Sequence, residues 1–344
     1  MKFGVFDHLD RRDEPLDKFY DDRLKMVAAY EAADFYAYHI AEHHATPLGM
    51  TPSPNLFLAL VARETSRIRL GPLVYLLPLY HPLRLIEEIC MIDQLSAGRL
   101  DVGVGRGVSP YEVGAYNVNL DDRAKMFEES LDVLIKGLSG ERLSHDGKHY
   151  HVPDTPMVMR PVQRPYPPLW YGGANESGAR FSAAHGMNFT TLGSTERVKG
   201  LIASYSEIWR ETEGEPLREA SPVKTPLIGV GRHIFVAETD EEARRLAKPA
   251  YEYWWHSVTS LWREHNASPV TGMMIDDYDE ACDIGVAVVG SPATVRAALE
   301  AQADKIPFNY FLGQFSWGNL THDQEMHSLE LFKSEIMPAL AGRQ

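Results

Sequence analysis

Two cysteines in 344 residues, Cys90 and Cys282, are too few for a disulfide framework and point to a reducing compartment. Positive charge is also scarce: 34 lysines and arginines stand against 48 aspartates and glutamates, a formal net charge of −14. Such a chain is repelled by nucleic acid and by anionic membrane surfaces, so neither is an expected partner. Long apolar runs are missing too. The longest, Leu70 to Tyr80, is broken by Pro72 and Pro78 and is too short to span a bilayer. The opening Met1-Lys2-Phe3-Gly4-Val5-Phe6-Asp7 meets a carboxylate too soon for a secretory signal, and the expected location is cytoplasmic. No serine sits in a G-x-S-x-G elbow and neither cysteine has a partner motif, so covalent catalysis has no support. What is present is ordinary globular composition, 44% hydrophobic and 24% charged, at a length one large α/β barrel fills.

Short β-rich runs alternate with segments of helical period. Strands are predicted over 2–6, 36–41, 68–75, 100–105, 168–171, 188–191, 231–237 and 309–313. Helices are predicted over 16–32, 55–65, 83–95, 123–138, 177–185, 196–213, 240–263 and 324–337. This alternation, with no repeat period, predicts a parallel sheet, and eight strands close into a (β/α)8 TIM barrel; a doubly wound open sheet is the rival. No linker divides the chain, so 1–344 is read as a single barrel domain. Two stretches interrupt the rhythm. Residues 143–168 hold a hairpin signal at Asp146-Gly147 and then a proline-rich surface loop. Residues 264–284 are polar, with an acidic run at 276–280, and are either a mobile lid or a solvated insertion.

Strand C-termini of a parallel barrel all open on one face, where catalytic residues gather. Asp7-His8 follows the first strand, Glu42-His43-His44 the second, Arg106 the fourth, and Gly172-Gly173-Ala174-Asn175-Glu176-Ser177 the fifth. The glycine-rich turn enters a helix, whose first N–H groups, with Asn175, Ser177 and the counter-charge of Arg106, suit a phosphate. The alternative is a tight turn that Asn175 or Ser177 merely caps. Gly103-Val-Gly105-Arg-Gly107 lacks the spacing of a dinucleotide fingerprint. His39-Ile-Ala-Glu42-His43 spells the zinc-protease pattern H-x-x-E-H, but that pattern needs a helix. On a strand its two histidines lie about 13 Å apart, so no metal is expected. His43 and His44 are left as rim residues, one of them suited to acid–base work near neutral pH.

The run Leu76-Leu-Pro78-Leu-Tyr-His81-Pro82-Leu-Arg84 continues through Asp93-Gln-Leu-Ser96-Ala-Gly98-Arg-Leu100 to Gly105-Arg106-Gly107. With Met1-Lys2-Phe3-Gly4, Glu42-His43-His44 and Leu331-Phe332-Lys-Ser-Glu-Ile-Met337-Pro338, it resembles the signature of the bacterial luciferase-like flavin monooxygenases nearly end to end. The resemblance implies a (β/α)8 barrel, usually a homodimer, with the helix around 84–95 as a contact surface. It implies reduced FMN (FMNH2) from a separate flavin reductase, and oxidation by O2, through a flavin peroxide, of a small, largely apolar substrate such as an aldehyde or ketone. It places Glu42 in the flavin site, His43 at the catalytic histidine and a cis peptide at Leu73-Val74 beneath the ring. Arg106 and Arg123 fall on the phosphate side, and Gly173, Ala174, Asn175 and Ser177 in the phosphate loop. Tyr75, Tyr111, Phe315 and Trp317 are expected pocket walls. Where the luciferase α subunit has a reactive cysteine this chain has Gly105, so light emission is not expected, and room beside the flavin is. Two alternatives stay open: a deazaflavin-dependent oxidoreductase on the same barrel, and a non-catalytic flavin-binding protein, against which the intact Glu42-His43 pair argues.

Overall fold

The computed structural model describes residues 1–269 and 275–342. Its strands are β1 (Lys2–Asp7), β2 (Ala37–Ile40), β3 (Arg69–Pro72), β4 (Tyr75–Leu76), β5 (Val102–Gly105), β6 (Arg142–Asp146), β7 (His151–Pro156), β8 (Leu169–Gly172), β9 (Asn188–Thr191), β10 (Ile228–Val236), β11 (Ala287–Gly290) and β12 (Tyr310–Gln314). The main sheet is parallel throughout, in the order β3-β2-β1-β12-β10-β9-β8-β5-β4. β3 and β4 are two halves of the predicted strand 68–75, parted at the cis peptide bond Leu73–Val74. The bridge between Leu70 and Leu100 ties β3 to the approach of β5, so the broken strand acts as one stave of a closed eight-stave barrel.

The period-2 alternation decides what fills the barrel. Phe6, Ala41, Leu73, Trp170, Tyr310 and Leu312 point inward and pack on one another. Their neighbours Val5, Tyr38, Ile40, Phe311 and Phe315 point outward into the layer shared with the helices, the larger core. Each fully buried side chain of this kind contributes on the order of 1.5–3 kcal/mol. His39 lies within the inner plug, its Nε2 2.9 Å from the Tyr310 hydroxyl and its ring 5.1 Å from that of Trp170. Burial lowers its pKa to about 4, so it is a neutral packing residue on a strand.

The hairpin β6–β7 forms where Asp146-Gly147 predicts it. Two elements depart from the sequence reading. β10 begins three residues earlier than predicted, and the pairings at its start, with β9 and β12, belong to the barrel wall. β11 and the helix Pro292–Lys305, capped by Ser291, were not foreseen. β11 has four residues and follows a polar stretch, too short to show a period, and it pairs with the C-terminal end of β10. Of the segment 264–284, residues 270–274 lie outside the described residues; its far end forms the short helix Tyr278–Asp283, capped by Asp277.

Candidate active site at the barrel mouth

One step above the inner plug, the same alternation sets His8 after β1, His43 after β2, His233 in β10 and Gln314 at the end of β12 toward the mouth. The His8 ring meets Phe6 below it edge-to-face at 4.7 Å and lies tilted 5.6 Å from His43 beside it. On the opposite side β5 and β8 end in Gly105 and Gly172. The mouth therefore has a hydrogen-bonding half and a glycine half. Gly105 does not leave the expected room: a Cβ there would lie 2.4 Å from Cγ2 of Val74, whose methyls fill that space. The open position is Gly172, where a Cβ would meet only Val74, at 3.7 Å.

The triplet after β2 splits into three roles. The Glu42 carboxylate is buried and committed: Oε1 accepts from His44 Nε2 at 2.8 Å and Oε2 from the Leu76 N–H at 3.1 Å. His44 accepts at Nδ1 from the Tyr116 hydroxyl, 2.8 Å away. Glu42 thus ties the ends of β2 and β4 together. His43 is the more accessible of the two histidines, and its Nδ1 faces Glu112 at 3.2 Å. Glu112 Oε2 also accepts the His44 N–H at 2.8 Å. Burial works against the Glu112 charge, but His43 and these hydrogen bonds outweigh it and hold the carboxyl below its ordinary pKa. An ionised Glu112 fixes the His43 proton on Nδ1 and leaves Nε2 to accept a proton. Glu112 and Tyr116 were missed in the sequence. Ser109 caps the helix Pro110–Ala115 by accepting the Glu112 N–H, so Ser109-Pro-Tyr-Glu112 reads as a helix start and conceals the carboxylate's role.

The glycine half runs into the predicted phosphate turn. The Gly173 N–H is already given to Thr190 O of β9 (2.9 Å), so the turn has fewer available donors than its sequence suggests. Asn175 caps the helix Glu176–Ala184, accepting from the Gly178 N–H and the Ser177 hydroxyl, each at 2.9 Å. Arg197 donates to the Ala174 carbonyl and pins the turn from behind. The helix Arg123–Ser139 starts nearby, since Phe127, one turn in, packs on Tyr171 and Phe181. Arg123 donates to Gly107 O at 3.1 Å, and burial followed by the adjacent Arg106 charge lowers its pKa. Among the described residues neither guanidinium forms an ion pair. Two close cations without a carboxylate, beside a helix N-terminus, suit a phosphate.

Residues 1–307 match the luciferase-like monooxygenase family. The chain belongs to that family. It is 38% identical over 337 residues to the uncharacterized protein y4wF of Sinorhizobium fredii, covering 98% of this chain and 96% of that protein. It is 24% identical over 359 residues to the oxygenase component of the flavin-dependent trigonelline monooxygenase of Acinetobacter baylyi, covering 99% and 96%. Its fold matches the oxygenating constituent of 3,6-diketocamphane monooxygenase from Pseudomonas putida, solved with FMN, at a TM-score of 0.81, 22% identity and 98% coverage of each chain.

In this luciferase-like monooxygenase the four expected pocket walls scatter. Tyr75 is buried and donates its hydroxyl to Asn55, beneath the helix Pro54–Glu64. Phe315 points outward into the helix layer, against Phe35, Phe332 and Tyr30, and is core. Trp317 packs above the barrel and donates to Ile234 O, 3.1 Å away. Parity explains Phe315, because following a strand in sequence does not make a residue face inward. Tyr111 alone is at the rim, stacked on His265 at 4.1 Å.

Proposed function

We propose that the enzyme is the oxygenase of a two-component system that binds reduced FMN from a separate flavin reductase and oxidises a small organic molecule with O2. The observation that carries this reading is the pair Arg106 and Arg123, which meet no carboxylate among the described residues, near the turn Ala174–Ser177, at the same barrel mouth as His43 and Glu112. The residues fit a flavin mononucleotide in three respects. The arginines and the helix N-terminus offer a phosphate cradle, Gly172 leaves space for a flat ring, and Leu73–Val74 presents an apolar ledge at that space. Bound there, the reduced flavin would supply the electrons that activate O2, with one oxygen atom passing to the substrate and the other to water. His43 takes or returns a proton at Nε2 while Glu112 balances the imidazolium charge. Glu42 holds the β2 and β4 ends in register for both. The names of the trigonelline and diketocamphane relatives support the chemistry.

A second copy of the chain is proposed as partner. Leu56 and Leu60 on the helix Pro54–Glu64, and Met91 and Leu95 on the adjoining helix Pro82–Leu95, are exposed at i,i+4 spacing, two apolar rows suited to a matching helix pair.

Anaerobic titration with reduced FMN and reduced riboflavin tests the assignment. Reduced FMN is expected to bind at least about tenfold more tightly, and Arg106→Ala or Arg123→Ala to erase most of the difference. Equal affinity for the two would overturn it, and binding of reduced deazaflavin instead would move the enzyme to the hydride-transfer branch. His43→Gln is expected to cut substrate oxidation by about 10²–10⁴-fold with reduced-FMN affinity unchanged.

A further inference from the structure

One group of buried polar atoms has no part in the flavin site or the His43 pair. His233 points into the mouth, only 3% exposed, and neither of its ring nitrogens has a hydrogen-bond partner. The register of β10 and β12 sets it opposite Gln314, 2% exposed, whose side chain lies against His8 and whose Oε1 has no partner of good geometry. Trp254, from the helix Asp240–Val258, closes over them with its ring edge-to-face 4.4 Å from His233, and its Nε1 is unpartnered too. Tyr251 and Trp317 wall the remaining sides at 5.6 and 5.3 Å. His8 joins this cluster to His43, its ring 6.4 Å from Trp254 and 5.6 Å from His43.

Buried polar groups in folded proteins are almost always paired, and a cluster of exceptions calls for a ligand. The donor set says which kind. A neutral imidazole offers one donor and one acceptor, the indole a donor, and the glutamine oxygen an acceptor. Burial keeps His233 uncharged at neutral pH, with a pKa of about 3. The neighbouring cation Arg232 faces outward, bonded to Gln302 and to the Gly193 and Gly231 carbonyls. A carboxylate or ammonium entering here would lie buried without a counter-charge. A bare aldehyde or ketone would use the donors and leave the acceptors unmet.

We propose that His233 and Gln314, roofed by Trp254, form a subsite that selects substrates carrying an uncharged carbonyl beside an N–H, as in an amide or lactam, on a flat apolar body. The inference rests on the oxygenase reading for one point, that the molecule held there is the substrate. It narrows the substrate class from largely apolar compounds to neutral ones with paired hydrogen-bonding groups at one end.

Calorimetric titration of the full-length protein with 2-quinolone and with N-methyl-2-quinolone, which lacks only the N–H, tests it. The lactam is expected to bind at least about tenfold more tightly, because its N-methyl twin leaves an acceptor unpaired. His233→Phe, which keeps an aromatic ring in the cage, and Gln314→Met are each expected to collapse that preference while leaving reduced-FMN affinity unchanged. Equal binding of the two probes, no binding of the lactam at millimolar concentration, or a preference that survives both substitutions overturns the proposal. The wild-type pair of titrations decides even if a variant fails to fold. A lactam preference in a protein that does not bind reduced FMN would keep the subsite and remove the oxygenase. Reduced-FMN binding without the preference would remove the subsite alone.

Discussion

Asp7 and His8 are adjacent in the chain, yet they enter two buried polar regions of opposite character. Asp7 faces outward, into a charged cluster between β1, the helix Leu16–Ala32 and the helix His322–Leu331. There its carboxylate accepts the Leu9 N–H and the Tyr38 hydroxyl, both at 2.8 Å, and lies 3.4 Å from Arg23. Arg23 reaches Glu325 at 3.3 Å, and Arg12 reaches the same carboxylate at 3.2 Å. Each of these four buried charges has an opposite charge beside it. His8 faces inward, toward His233, Gln314 and Trp254, where the buried groups are neutral and several polar atoms have no partner at all. Burial is equal on the two sides of β1; the pairing of charges is not. A polar group whose partners lie within its own chain holds the fold. A cluster of neutral groups without them, as at His233, Gln314 and Trp254, forgoes hydrogen bonds worth about 1–3 kcal/mol each, which is what the proposed subsite uses.

The comparison can be broken most forcefully from the charged side. Arg23→Met leaves Asp7 and Glu325 buried with too little positive charge and should cost about 3–5 kcal/mol in urea denaturation. A loss below about 1 kcal/mol would mean that the cluster is not structural.

Acid should next separate the regions. His39 and His233 have folded pKa values of about 4 and about 3, below the ordinary 6.5. The unfolded chain therefore binds their protons first. Their contribution to stability is complete above pH 6.5 and is lost as pH falls toward those values, about 2 kcal/mol for each at pH 5. Denaturation measured at pH 7 and 5 should show the drop, and His233→Phe should remove its share.

A smaller effect is expected at the glycine half. Gly105→Ala pushes a methyl into Val74 and should cost about 1–3 kcal/mol in thermal unfolding. The double variant with Val74→Ala should recover most of it. The smallest concerns His233→Phe at pH 8, where removing two unpartnered nitrogens should leave stability within about 1 kcal/mol of the parent or slightly above it. A large loss there would show that His233 is a structural group.

Much of the fold was legible from local pattern. Strand β9 (Asn188–Thr191) and the hairpin at Asp146-Gly147 stand where composition and turn chemistry put them, and the helix predicted over 83–95 forms as Pro82–Leu95. The strand ending at Val236 was recognised but begun three residues late, and that cost the site its most informative residue. With a start at 231, His233 would lie low in the barrel; with the start at Ile228, the pairing to β12 runs out at His233 and leaves it at the mouth. Phe315 was misjudged for the related reason that the direction a side chain faces is set by its position in the register.

The sequence by itself determined the family, the barrel, and the local pieces from which the site is proposed: His43 after the second strand, Arg106, Arg123 and the capped glycine turn. Such features are carried by short segments whose backbone geometry follows from their own residues. Only the tertiary structure decided that Glu112 backs His43, that Val74 fills the space over Gly105, and that His233, Gln314 and Trp254 meet with their polar atoms unpaired. Those are contacts between residues 21 to 81 positions apart, and they exist only once the sheet has closed and each strand's register has chosen which side chains face in.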